Sequence, residues 1–220
     1  MKIPRVPLLG LVTLCLAVPL LASCSSDEPD RATDPAGSTD PGLERPTEVP
    51  AAPGQVRSAN LATVMDTGPL DSGRVELCLG PVAESYPPQC GGPAITNWDW
   101  ADHKQTFEQQ GDVRWGTYAV TGTWDGTAFT LDEAIPGALY DPMFEEPDPL
   151  PAPSAEYSQP ELEAMAEDLG GLPGAQGAYA DDAGHVLVDV LYDDGSFQEW
   201  ADEEYGDHVV VVSSALVDVT

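Results

Sequence analysis

Positive charge is scarce in this sequence. Eight of the 220 residues are Lys or Arg, against 38 Asp and Glu, so the formal net charge is −30 at pH 7. No Lys or Arg occurs after Arg114. Because like charges repel, such a chain is poorly suited to phosphate backbones, and we expect no nucleic-acid partner. The hydrophobic share of 42% is nevertheless sufficient for one or two ordinary folded domains.

Short catalytic signatures are also missing. The chain contains no G-x-S-x-G, H-E-x-x-H, G-x-x-x-x-G-K-[ST] or G-x-G-x-x-G run, which removes support for hydrolases and nucleotide-binding enzymes that use them. The histidines, His103, His185 and His208, are scattered along the chain, so we expect no metal triad and no cofactor. A carboxylate-based envelope hydrolase stays open as an alternative, since with so many acids some pair will lie at a workable separation by chance.

The N-terminus has the layout of an export signal. Lys2 and Arg5 form a short basic start, and residues 6–21 are almost wholly apolar but are interrupted by Pro7 and Pro19. Such a run is short for a membrane-spanning helix and suits a signal peptide.

The run LASC, which ends at Cys24, resembles a bacterial lipobox. The resemblance implies that residues 1–23 are a signal peptide cut before Cys24, whose thiol then carries a diacylglycerol. Two or more acyl chains hold a protein durably on a bilayer, since each buried CH₂ contributes roughly 0.8 kcal/mol. We therefore expect an extracytoplasmic protein anchored to the outer face of the cell membrane through lipidated Cys24. The alternative is an uncleaved signal anchor with an incidental cysteine.

Cysteine is rare, with only four in the chain. Cys15 leaves with the predicted signal and Cys24 takes the lipid, so Cys78 and Cys90 remain as one pair in an exported protein. We expect a disulfide between them, which closes a loop that stabilises the fold by roughly 3 kcal/mol. A reactive thiol or a metal-ligand pair is the alternative, but the C-x-x-C spacing typical of both is missing.

Two Pro-rich stretches divide the chain. Residues 25–57 contain six prolines and no aromatic residue, which predicts a disordered, acidic stalk over residues 24–57. A second Pro-rich linker covers residues 139–156, and we place a domain boundary there.

The region before this linker, residues 58–138, is predicted to be β-rich. The Gly-, Pro- and Asp-containing turns between its apolar runs separate five strands, and Asp125-Gly126 favours a tight hairpin. A small five-stranded barrel similar to an oligonucleotide- or oligosaccharide-binding (OB) barrel is our interpretation. The five strands are predicted at residues 59–65, 74–80, 94–98, 113–123 and 127–131.

The region after the linker, residues 157–220, is predicted to be a small acidic α+β domain. The pattern favours a capped helix starting near Ser158, a hairpin over 175–180 and 185–192, a helix over 196–205 and a strand over 209–219. This α-β-β-α-β order is that of a ferredoxin-like sandwich without its first strand. That strand is either absent or supplied from residues 131–140. The predicted fold class is therefore β plus α+β.

Several runs resemble uncharacterised exported lipoproteins of actinobacterial type. They are ELCLGPVAESYPPQCGGPAITNWDW (76–100), WGTYAVTGTWDGTAFTL (115–131) and FQEWADEEYGDHVVVVSSALV (197–217). Paired cysteines around YPPQ, followed by WDW, give the resemblance its specificity. It implies a lipoprotein with no assigned activity, and it transfers no catalytic or binding residue.

Four of the five tryptophans fall in the predicted barrel, and Trp98 and Trp100 lie on one face if their segment is a strand. Such a pair is a candidate stacking platform for a sugar or a peptide, with Asp99 and Asp102 as hydrogen-bond acceptors. The alternative is that the rings fill the barrel core.

Acidic clusters at residues 181–182, 193–194 and 202–204 have the oxygen ligands that Ca²⁺ prefers. No run matches an EF-hand loop, however, and acids are also expected at turns and helix caps, so a solvated acidic surface is the alternative interpretation. Taken together, these patterns predict a lipid-anchored, non-enzymatic binding module whose partner is a cell-envelope protein or glycan.

Overall fold

The computed structural model of the chain describes residues 42–69, 74–141 and 148–219. The predicted signal peptide, Cys24 and the first part of the predicted stalk lie outside these residues. The described ranges contain eleven strands and two α-helices, so the fold is mixed α+β and mostly strand.

The secondary-structure elements follow one another in this order. The strands are β1 (Gln55–Ser58), β2 (Ala62–Asp66), β3 (Val75–Cys78), β4 (Ala94–Ile95), β5 (Glu108–Gln110), β6 (Val113–Trp124), β7 (Ala128–Pro136), β8 (Ala175–Ala180), β9 (Val186–Val190), β10 (Val210–Ser214) and β11 (Leu216–Asp218). The α-helices are α1 (Gln159–Leu169), between β7 and β8, and α2 (Ser196–Tyr205), between β9 and β10.

Eight strands form the larger sheet, with the order β11-β1-β6-β2-β3-β4-β7 and with β5 paired to β6. Because β6 also pairs with β7, the hydrogen bonding returns on itself through β6, β2, β3, β4 and β7. All contacts in this ring are antiparallel except that between β4 and β7. The ring has few hydrogen-bonded residues at β4, a strand of two residues, and it is not a clear barrel.

The β6–β7 hairpin forms as its sequence predicts. Asp125 Oδ1 accepts hydrogen bonds from the backbone N–H groups of Thr127 (2.8 Å) and Ala128 (2.7 Å). Gly126 has φ of 93°, a left-handed conformation that glycine adopts without a Cβ clash. The turn joins the two longest strands of the sheet.

A first hydrophobic core lies inside the larger sheet. Its fully buried side chains alternate along the strands, as expected for sheets with one apolar face. Its buried members are Val56, Ala62, Val64, Val75, Leu77, Ile95, Trp100, Tyr118, Val120, Trp124, Phe129, Tyr192 and Leu216.

The smaller sheet has the order β10-β9-β8 and carries the two helices. The order α1-β8-β9-α2-β10 is the predicted one, and β10 pairs directly with β9 in parallel, as a right-handed β-α-β crossover allows. No described strand lies between them, and residues 128–136 belong to β7 of the larger sheet rather than supplying an extra strand here. A second core of apolar side chains, including Leu162, Val188 and Trp200, joins the helices to this sheet.

The capping box predicted for α1 is present. The Glu161 carboxylate accepts hydrogen bonds from the Ser158 backbone N–H (2.8 Å) and hydroxyl (2.6 Å). At the start of α2, the Asp193 carboxylate accepts the Phe197 N–H (2.9 Å) and holds the preceding turn.

The predicted strand over residues 209–219 is two strands in different sheets. β10 pairs with β9, while β11 pairs with β1 of the larger sheet. The chain passes between them at Ala215, whose N–H donates to the Val190 carbonyl and whose carbonyl accepts from the Ala59 N–H, both at 2.8 Å. The two predicted domains therefore share a sheet, because the C-terminal region supplies β11 to the N-terminal region.

The predicted stalk also ends earlier than expected. Residues 42–53, here called the strap, lie against the folded body, and β1 lies between β6 and β11. The Trp124 indole donates to the Pro50 carbonyl at 2.9 Å, and Val49 packs on the first core. The stalk prediction was wrong for this segment because its buried partners come from distant parts of the chain.

The predicted disulfide between Cys78 and Cys90 is confirmed, with a Cα–Cα distance of 5.9 Å. Cys78 is the final residue of β3 and is buried with Met65 and Trp115 in a small third cluster. The bond ties the loop that follows β3 to the sheet.

Candidate functional site

The candidate site is built around residues 96–107, which connect β4 to β5 and are here called the aromatic loop. The strand predicted over 94–98 ends at Ile95. The Asn97 side chain then pairs with β7 as a strand backbone would. Its amide NH₂ donates to the Leu131 carbonyl and its Oδ1 accepts the Leu131 N–H, both at 2.8 Å. The loop is therefore fixed to β7 at its start and turns away from the sheet.

Five aromatic rings pack together around this loop. Trp98 stacks on His103 with centroids 3.9 Å apart and ring planes at 13°. Trp98 also meets Trp100 edge to face at 5.2 Å and Tyr118 at 5.0 Å. Trp100 contacts Phe107 at 4.8 Å. Such pairs contribute about 0.5–1.5 kcal/mol each beyond the area they bury, so the loop is held firmly.

Tyr118 of β6 fixes the far end of the loop. Its hydroxyl donates to the Thr106 carbonyl at 2.9 Å, and the Thr106 hydroxyl donates to the His103 carbonyl at 2.7 Å. Burial raises the pKa of Tyr118, which keeps the phenol protonated as a donor. Gly116 leaves room for this ring, since a Cβ there would lie 2.6 Å from a Tyr118 ring carbon.

A cavity of about 380 Å³ opens beside the aromatic loop. That volume is at the lower end of the range for small-molecule sites, about 300–1,000 Å³. Three of the four candidate ligand-binding residues line it, namely Trp98, Asp99 and Trp100, whereas Asp102 is exposed outside it. The full lining is Asp66, Val75, Trp98, Asp99, Trp100, Ala101, Lys104, Phe107 and Arg114.

The two tryptophans do not form the flat exposed platform that an extended strand predicts. Trp100 is 6% exposed and belongs to the first core, while Trp98 is partly buried against it. Their planes meet at 73°. The difference arises because the chain turns after Ile95, so the rings stand as adjoining walls of a cavity.

A buried ion pair, missed in the sequence, forms another wall. Asp66, which is 1% exposed, accepts a hydrogen bond at 2.9 Å from Arg114 through Oδ2 and one at 3.1 Å from the Gly68 N–H through Oδ1. The Arg114 guanidinium also lies 5.5 Å from the centroid of the Trp100 ring, within cation–π range. In the sequence, Asp66 stands out as an acid that ends the apolar run ATVMD. Its partner Arg114 lies 48 residues away, so the ion pair could not be predicted from the local pattern.

The two tryptophans that line the cavity each have a fully buried indole N–H. The indole N–H groups of Trp98 and Trp100 have no hydrogen-bond acceptor among the described residues. A buried donor left unsatisfied costs about 1–3 kcal/mol. The arrangement therefore places two unsatisfied donors on the two rings that frame the cavity.

The surroundings of His103 favour its neutral form. Burial lowers its pKa, while the charges of Asp102 and Asp99 oppose that shift without cancelling it. A neutral imidazole is the state best suited to stacking on Trp98 without a desolvated charge.

Metal binding finds no support in the described ranges. They contain no group of three or more His, Cys, Asp or Glu side chains that could hold a metal ion. The cluster at residues 181–182 is instead part of a turn, in which Asp181 accepts the His185 N–H at 2.8 Å.

Neither α-helix of the described ranges has the length and apolar composition needed to cross a membrane.

Comparison with protein-family models, with curated proteins and with solved structures finds no match to this chain. The resemblance to exported lipoproteins thus stays a prediction from the residues themselves.

Proposed function

We propose that the protein is a lipid-anchored extracytoplasmic binding module that holds a small glycan of the cell envelope in the aromatic-loop cavity. The observation that carries the proposal is the cavity of about 380 Å³ framed by the Trp98 and Trp100 rings. A sugar offers hydroxyl and carbonyl oxygens as acceptors, together with an apolar ring face that packs on aromatic walls. An apolar pocket with a few convergent polar groups is the usual form of such sites.

The fold supports this proposal by analogy. We propose that the strand ring β6-β2-β3-β4-β7, with its single parallel contact, is an OB-like barrel, an architecture used for oligosaccharides and oligonucleotides. The smaller sheet is not assigned to the ferredoxin-like sandwich, because β10 pairs directly with β9 and leaves no place for a strand between them. The net charge of −30 disfavours a nucleic acid, the polyanionic ligand class of OB barrels.

The binding role is better supported than the alternative of a carboxylate-based envelope hydrolase. Of the two carboxylates that line the cavity, Asp66 has both oxygens engaged by Arg114 and Gly68. Asp99 accepts the Ala101 N–H at 2.8 Å and holds the loop. Both carboxylates therefore already have structural partners.

Indole NMR signals test the site directly. We expect N-acetylglucosamine, titrated into the ¹⁵N-labelled full chain in detergent micelles, to shift the Trp98 and Trp100 indole N–H resonances. Trp124 is an internal control, since its indole already donates to Pro50. Trp98→Leu, which removes an aromatic wall of the cavity, should weaken binding several-fold. Equal shifts at all tryptophans, or none with neutral or acidic wall sugars, would contradict the proposal.

The proposed anchor has a separate test. Cys24→Ser removes the only sulfur that the lipobox-like run offers for a thioether, so the variant should keep its signal peptide or leave the membrane fraction. Mass spectrometry of the membrane-extracted wild type should show a diacylated Cys24. A free thiol there would contradict the anchor.

A further inference from the structure

Lys104 is an unusual residue in this chain. The sequence contains two lysines, and the other, Lys2, lies in the predicted signal peptide. Lys104 lines the aromatic-loop cavity, and it also borders a second depression whose walls include Leu61 and Leu139. The one lysine that follows the predicted signal therefore stands at the mouth of the candidate site.

The backbone that carries Lys104 is fixed on both sides. His103 is stacked on Trp98, and Thr106 is hydrogen-bonded to Tyr118. The Thr106 N–H also donates to the His103 carbonyl at 3.2 Å, which closes the turn. Because the loop is held in this way, the lysine stem starts from a defined position, and less ordering is needed when a ligand binds.

Lys104 forms no ion pair with the other charged side chains of the cavity lining. The other cation in the lining, Arg114, is bonded to buried Asp66. Lys104 is exposed and has no ion-pair partner among the described residues, and Asp99 is engaged with the Ala101 N–H. An exposed ammonium beside two apolar rings is suited to a charge-assisted hydrogen bond with a carboxylate.

We propose that Lys104 makes the cavity selective for a sugar that carries a carboxylate over its neutral counterpart. The proposal rests on the glycan-binding function argued above and specifies the class of ligand. The sugar ring packs against Trp98 and Trp100, and its carboxylate lies at the cavity mouth against the Lys104 ammonium.

With a net charge of −30, the proposed selectivity for an acidic sugar has to act at short range. The overall field repels anions, but at about 0.15 M salt it is screened beyond roughly 8 Å. Selectivity for the acid must therefore come from direct contact at the site, and removal of one lysine should abolish it.

The test compares N-acetylmuramic acid with N-acetylglucosamine, which lacks the lactyl carboxylate, by indole NMR titration of the full chain in micelles at fixed salt. We expect the wild type to bind the acid more tightly. Lys104→Gln should lower the ratio of the acid's affinity to the neutral sugar's affinity about tenfold. Lys104→Arg should retain the preference. Arg57→Gln, an equal change of charge on the exposed face of β1, should retain it too.

The outcomes separate the two proposals. Equal binding of both sugars by the wild type, or a preference that survives in Lys104→Gln, would overturn the role of Lys104 and leave glycan binding intact. Binding of neither sugar would overturn the proposed function and this inference with it.

Discussion

At the scale of single residues, the buried pair of Asp66 and Arg114 links stability to the candidate site. Asp66 is 1% exposed, and Arg114 spans from it to the Trp100 ring. Loss of one member of a buried pair leaves an uncompensated charge, which costs more than the pair contributes.

We expect Arg114→Met to lower the free energy of unfolding by about 3–5 kcal/mol. Arg74→Met is the matched control, because the Arg74 side chain is 80% exposed in its ion pair with Glu76 and should contribute less than about 1 kcal/mol. Urea unfolding measures both. Converting Asp66 to Val in the Arg114→Met background should recover part of the loss, and a double variant less stable than the single one would contradict the explanation.

His185 is a second residue whose contacts have a measurable consequence. It is buried, and its ring lies 2.9 Å from Asp181 through Nδ1 and 3.0 Å from the Pro151 carbonyl through Nε2. The Pro151 carbonyl raises the pKa of His185; burial opposes this, and the hydrogen bond and charge of Asp181 add to it. Because the folded pKa is raised, this stabilisation is complete below the unfolded value of about 6.5 and is lost as pH rises through the folded value.

We therefore predict that the melting temperature of the wild type falls between about pH 6 and pH 8 more steeply than that of His185→Gln, which cannot titrate. Thermal unfolding at several pH values measures the difference. His208→Asn is the control, since His208 is exposed and its φ of 63° is tolerated by asparagine. Parallel curves for wild type and His185→Gln would contradict the assignment.

At the scale of elements, local signals in the sequence predicted most strands and both helices. The Asp125-Gly126 hairpin, the Ser158 capping box and the Cys78–Cys90 disulfide each depend on a few neighbouring residues or on a single remaining pair. The change of sheet at Ala215 and the packing of Val49 depend on partners far away in the chain. Pattern alone could not reveal them, since β pairing over long separations leaves no local trace.

The candidate site also combines features that local sequence predicts with features that depend on distant residues. Trp98, Asp99 and Trp100 were predictable as a group because they are adjacent in sequence. Their arrangement as cavity walls was not, because it depends on Asn97 bonding to Leu131.

β11 permits a test at this scale. Leu216 is fully buried in the first core, so Leu216→Ala should cost about 2–5 kcal/mol. Leu139→Ala, at a side chain that is 76% exposed, should change stability by less than about 0.5 kcal/mol. Denaturant unfolding followed by Trp124 NMR signals would detect the loss in the larger sheet. A Leu216→Ala variant with unchanged Trp124 stability would contradict the sharing of this sheet between the two halves.

At the scale of the whole molecule, the excess of acids should make stability depend on salt. With 38 acids against eight bases, the folded state repels itself. The screening length shrinks from about 30 Å at 0.01 M to about 10 Å at 0.1 M, so we expect the melting temperature to rise over that interval.

Ca²⁺ at matched ionic strength should add nothing, since the described residues hold no cluster of three or more metal-ligating side chains. Thermal unfolding in a NaCl series, with and without Ca²⁺, measures both effects. A flat response to NaCl would contradict the repulsion, and a rise specific to Ca²⁺ would reveal an unrecognised site.

The pairing of β1 with β11 determines when the larger sheet can be completed. β1 begins at Gln55 and its partner β11 spans Leu216–Asp218, so almost the whole described chain lies between them. Synthesis delivers the chain N-terminus first, at about 5–20 residues per second on the ribosome. Until residues 216–218 emerge, one edge of β1 has no partner and the first core lacks Leu216. Folding of the larger sheet is thus completed only after translation has passed this strand, and a chain that stops short of Leu216 keeps one edge of β1 open.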